Sequence, residues 1–221
     1  MKDLVMDLKF ETLKEKQRAI RESFPQDFGL RIHRAISWVG RAEQESDDPD
    51  AAFLFYWIAF NAAYADERDM QSERDMFDWL FGRLADLDEG DRMYAAVWDR
   101  FTGPIRLFLE NRYVFSPFWA HHNGHEGHAD WEERFERARH AFHRSLAARN
   151  TTNILSMLFD RLYVLRNQLI HGGATWKSSV NRDQLRDGVA ILSVLVPVMI
   201  DIMMDNADRD WGSPFYPVIE G

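Results

Sequence analysis

From Asp50 to Ala65 the chain reads DAAFLFYWIAFNAAYA, apolar nearly all the way round a helix. A helix with no polar face must be contacted from several sides, so the rest of the chain has to surround it. Asp47-Asp48-Pro49-Asp50 precedes it, and aspartate there accepts the orphan amide protons of a first turn. Elsewhere the apolar period is helical: residues 30–46, 72–85, 90–101, 105–113, 131–149, 151–171 and about 181–206 each predict a helix, with Thr102-Gly103-Pro104 as a break. No stretch shows sustained alternation of β-branched residues, so the expected fold class is all-α.

With 221 residues, 46% of them apolar, one large domain over 1–221 is expected. Its parts are an N-terminal amphipathic helix (1–24), a helical bundle (25–206) and a C-terminal strap, WGSPFYPVIEG, within 207–221. Residues 114–130, VFSPFWAHHNGHEGHAD, read as an irregular, histidine-rich loop excursion because Pro117, Gly124 and Gly127 interrupt any period. The most apolar run, residues 188–204, is short for a bilayer span and contains Pro197 and Asp201. A buried helix kinked near Pro197 is expected, with no membrane partner. The N-terminus lacks the apolar core and cleavage site of a secretory signal. Cysteine is absent, which excludes disulfides, thiolate metal sites and cysteine nucleophiles; cytoplasm is the default. A formal charge of -9 leaves no global basic field for nucleic acid, so any polyanion site must be local.

The most informative stretch is RNQLIHGG, residues 166–173, where a helix ends at two glycines. Ile154, Leu155, Leu158, Leu162, Leu165 and Leu169 form one apolar stripe of that helix. Phe159, Asp160, Tyr163, Arg166, Asn167, Ile170 and His171 share a second face, whose mixed composition predicts a partner surface or cleft. Asn167 and His171 stack four apart, whereas Arg166 lies about 140° from His171 on an ideal helix. A second copy facing the first would bring two arginines and two histidines into one cleft. Histidine can move protons near neutrality, arginine can hold phosphoryl oxygens, and asparagine can orient either. Those are the parts needed to cleave an RNA phosphodiester without metal. The bland alternative is that His171 merely caps the helix, where the dipole favours a cation.

RNQLIHGG resembles the Rx4-6H signature of the HEPN superfamily, small α-helical domains in which a polar residue commonly follows the arginine. SWVGRAEQESDDPDAAFLFYWIAFNAAYA is similar to the first helical hairpin of stand-alone prokaryotic members, and VNRDQLRDGVAILSVLVPVMI to their closing helix. Arg134 to His140 and Arg137 to His143 also fit the spacing, but only Arg166 has the polar neighbour and the glycine stop. The resemblance implies a HEPN-like bundle with additional helices, dimerising so that both segments line one cleft. It implies metal-independent endoribonuclease activity in the active members, with no cofactor: Arg166 on phosphate, Asn167 assisting, His171 as general acid or base. RNA, a second copy, and an antitoxin or regulatory protein are the implied partners, in a toxin or phage-defence setting. Some HEPN proteins only bind or scaffold, so a non-catalytic module that binds nucleotide, RNA or protein stands as the alternative.

Residues 161–187 hold five basic side chains against two acidic ones, net +3. Lys177 and Arg182 are therefore candidate substrate contacts, as are Tyr163 and Trp176, which could stack on a base. Plain helix-end charge and an aromatic plug are the competing readings. His121, His122, His125 and His128 form the other concentration of chemistry. Neutral imidazoles suit zinc or nickel, giving a metal-dependent enzyme as a third alternative, but their spacing fits no standard metal motif. Asn61, alone among apolar residues, needs a partner or steadies a site.

Overall fold

Asp48 caps the central helix, accepting hydrogen bonds from the amides of Asp50 at 3.1 Å and Ala51 at 3.2 Å. Pro49 follows in the first turn, where a missing N–H costs nothing. The computed structural model describes residues 8–65, 73–179, 182–214 and 216–217. Among them lie ten α-helices and no strand. These are α1 (Phe10–Ile20), α2 (Gln26–Glu43), α3 (Pro49–Tyr64), α4 (Glu73–Leu87), α5 (Arg92–Ala95), α6 (Thr102–Leu109), α7 (Ser116–His122), α8 (Trp131–Ala147), α9 (Thr151–Ile170) and α10 (Arg182–Asp205).

α3 packs against α2, α10 and α9, as its all-round apolar surface requires. Phe53, Tyr56, Trp57, Phe60 and Tyr64 are buried along it. The apolar stripe of α9 is core too, with Ile154, Leu155, Leu158, Leu162 and Leu165 buried. Phe159 departs from its expected place on the cleft face. It is fully buried, 4.5 Å from Phe60 and 4.8 Å from Phe81 between ring centroids. The first turns of α9 are thus covered on both sides, and its second face opens only from Tyr163 onward.

α10 continues past Pro197 as one helix. By length and composition it could cross a membrane, yet 78% of its most apolar window is buried against the bundle. Asp201 is tolerated there because Lys16 and Arg92 each approach it to 2.5 Å. The same two cations reach Asp205, at 2.6 and 2.7 Å. Burial opposes ionisation of Asp205, but the hydrogen bonds from Lys16 and Arg92 hold its carboxyl below the usual range.

Two expectations need correction. The helix expected over 90–101 is interrupted: α5 passes at Ala96–Arg100 into a π-helical turn. Thr102 then opens α6 rather than breaking a helix, its hydroxyl donating to the Trp98 carbonyl at 2.8 Å. The excursion 114–130 is not all loop, because Ser116–His122 is helical with Pro117 in the first turn. Phe115, Phe118 and Trp131 form a small core of their own, and burying those rings fixes the segment. Gly124 and Gly127, at φ +77° and +78°, shape the turns that follow.

Arg31 was not singled out by sequence, since an arginine in a helical period looks like a surface residue. Its guanidinium is buried and donates to the Ala63 and Ala65 carbonyls, both at 2.9 Å, and to those of Gly212 and Ser213 at 3.2 and 3.1 Å. The strap is thereby tied to the end of α3, with Trp211 buried beside it. Replacing Arg31 with methionine strands four carbonyls, so Arg31→Met is expected to cost about 2–4 kcal/mol. Urea unfolding measures the loss, and amide exchange should rise first in residues 207–217.

Candidate functional site

The end of α9 is closed by backbone rather than by side chains. The Gly172 amide donates to the Leu169 carbonyl at 3.2 Å and the Gly173 amide to that of Gln168 at 2.7 Å, the paired bonds of a Schellman motif. Gly172 takes φ +69°, as the glycine stop predicts. A Cβ on Gly173 would lie 3.0 Å from the Gln168 carbonyl oxygen, so that position is also tight. His171 occupies the cap position, but its exposed ring makes no hydrogen bond among the described residues.

The second face of α9 borders two cavities, with Tyr163 shared between them. One, of about 890 Å³, is lined by Asn167 and His171 together with Trp119, Asn123, His125 and His128 from the excursion. The other, of about 520 Å³, is lined by Arg166 with Arg34, Trp57, Asn61 and Tyr216. Within one chain, therefore, Arg166 and His171 do not face the same cavity. Asn167 links them: Arg166 Nη1 donates to its Oδ1 at 2.9 Å. The guanidinium lies 5.9 Å from the centroid of the Tyr163 ring, and its Nε is buried without a hydrogen-bond partner. Asn61, the polar residue on α3, opens on the Arg166 cavity and makes no side-chain hydrogen bond among the described residues.

The structure does not bring Trp176, Lys177 or Arg182 into either cavity. Trp176 Nε1 donates to Asp48 Oδ2 at 2.8 Å, and Arg182 pairs with Asp50 at 2.9 Å. The Lys177 amide donates to the Asp50 carboxylate at 3.3 Å, and its ammonium lies 4.6 Å over the Trp176 ring. These three brace the acidic turn that begins α3. Burial works against ionised Asp48, yet the hydrogen bonds from Trp176 and the Ala51 amide keep it below the usual carboxylate range.

The histidines divide likewise. His122 stacks on Phe118 at 4.1 Å, with Nδ1 2.8 Å from the Phe118 carbonyl, while His125 and His128 border the larger cavity and His121 does not. Among the described residues no group of three or more His, Asp or Glu side chains is placed to hold a metal ion. The other two Arg-to-His spacings lead to surface pairs, Arg134 with Asp130 at 2.8 Å and His143 with Glu110 at 3.3 Å.

Sequence reasoning missed Tyr113, Trp119 and Gln168. The Tyr113 carbonyl accepts from Trp119 Nε1 at 2.7 Å and from Gln168 Nε2 at 2.6 Å. One oxygen thus joins the excursion to the end of α9. Only the SPFW start of a helix hinted at this, and no spacing could have placed it beside residue 168.

One turn earlier, Asp160 pairs with Arg74 at 2.7 Å while Arg161 lies buried, its guanidinium 4.3 Å from the Phe115 ring. Burial pushes the Asp160 carboxyl up to about 6 despite Arg74 and Arg161, and burial also lowers Arg161 to about 10. An aspartate raised from about 3.9 in the unfolded chain stabilises the fold below that value and loses its contribution as pH rises through 6. Asp160→Asn removes this dependence. Between pH 4.5 and 7.5 the natural chain should lose about 2 kcal/mol relative to the variant in denaturant titrations.

Comparison of the chain with known proteins found no matching family model, curated protein or solved structure.

Proposed function

We propose that this protein is a HEPN-type, metal-independent endoribonuclease that acts as a dimer. The observation that carries the proposal is the end of α9: His171, unbonded and exposed, shares an open cavity with Asn167, which in turn holds Arg166. Ile170, 51% exposed beside them, is the apolar contact that a second copy would cover. The cavity also carries Trp119 and Tyr113, side chains on which an unpaired base can stack.

In this reading a second copy brings its α9 end over the same cavity. RNA draws Arg166 off Asn167 and onto the scissile phosphate, and His171 moves a proton as the 2′-oxygen attacks. The fork of Arg166 supplies charge that persists through the reaction. A toxin or defence role, with an antitoxin-like regulator, belongs to the same proposal. Arg166 bordering the neighbouring cavity favours a second reading, a module that binds RNA without cutting it.

Labelled RNA incubated with the protein in EDTA separates the two. Cleavage leaving 2′,3′-cyclic phosphate ends is expected, falling by about 10²–10⁴-fold in His171→Ala and in Arg166→Ala. RNA bound but left intact by the natural chain would reject catalysis and select the second reading.

A further inference from the structure

Resting on the ribonuclease reading, we infer that the excursion supplies the second proton-transfer group of the site in cis, and that this group is His128. His128 and His171 border the same cavity although 43 positions apart, and the doubly bonded Tyr113 carbonyl fixes the excursion against α9. His128 Nδ1 is buried with no hydrogen-bond partner. Among the described residues no hydrogen bond engages Nε2 either, which leaves that nitrogen to serve the cavity. A histidine packed only for structure would bond its buried nitrogen.

Cleavage by 2′-hydroxyl attack needs two proton movements. The P–O2′ bond forms while P–O5′ breaks; one imidazole takes the 2′-hydroxyl proton and another gives a proton to the departing 5′-oxygen. His171 alone cannot be in both states at once. His128 makes the pair complete within one chain, so a second copy need contribute guanidinium and surface but no imidazole. The other titratable groups on this cavity are Tyr113, Tyr163 and His125, and no carboxylate lines it among the described residues. Next to His128 on the approach to α8, Arg134 donates to the Gly127 carbonyl at 2.9 Å and pairs with Asp130 at 2.8 Å.

The test is the pH profile of RNA cleavage, pH 5 to 9 in EDTA, for the natural chain, His128→Gln, His128→Asn and His171→Gln. His33→Gln, on an exposed α2 residue bordering neither cavity, is the control. Circular dichroism and melting verify folding. The expected result is a bell for the natural chain and the control, and a loss of about 10²–10⁴-fold with one limb missing in both His128 variants. A His128 variant within about twofold of the natural rate overturns the inference while an inactive His171→Gln leaves the ribonuclease reading standing. A slower enzyme that keeps both limbs makes His128 structural, which also overturns it. A natural chain that cuts no RNA overturns both.

Discussion

Burial of α9 on two sides is the constraint on which the rest depends. Its leucine stripe enters the main core, and Phe159, flanking that stripe, is held in the same core among Trp57, Phe60, Phe77 and Phe81. Neither face can rotate without moving rings packed close in a dense interior, where even small displacements are costly. The helix is therefore fixed in azimuth, and the side chains beyond Leu162 point where that azimuth sends them. Tyr163, Asn167 and His171 meet the excursion, and Arg166 turns toward α3. A site at the end of such a helix is carried by a rigid support rather than by a loop, which suits groups that must hold their geometry.

Charge is arranged to the same end. The chain totals -9, and several of its cations are committed inside the fold: Arg31 to four carbonyls, Arg92 and Lys16 to Asp201 and Asp205, Arg182 to Asp50. In the proposed site, attraction for a polyanion comes from the cations near the α9 end that pair with no carboxylate among the described residues, including Arg166, which donates to Asn167, and Arg34, which donates to the Tyr216 carbonyl at 2.6 Å. On the proposed reading, binding of RNA is local and shaped, with stacking on Trp119 and Tyr113 beside electrostatics.

Much of the fold was legible because long helices announce themselves by period and punctuation. Asp48 and Pro49 marked the start of α3, Gly172 the end of α9, and the apolar faces named most of the core. Short elements decided by packing were not legible. α7 forms because Phe118 must be buried against Trp131, and the turn at Ala96–Arg100 interrupts a stretch whose period suggested one helix. Of the site, sequence found the α9 residues and both groups of histidines but not their meeting, since contact across 43 residues leaves no spacing to read. Trp176, Lys177 and Arg182 show the reverse case. Near the motif in sequence, they follow a chain that has already turned back toward Asp48 and Asp50.

In the proposed site, one cleft presents His171 and His128 to a ribonucleotide linkage. The direct measurement is the ring resonances of both histidines during titration with a short 2′-O-methyl oligonucleotide, which binds but cannot be cut. Concerted shifts of both rings, saturating together at a single affinity and lost in Trp119→Ala, are what the account predicts. Rings that stay unmoved while the oligonucleotide binds elsewhere would contradict it.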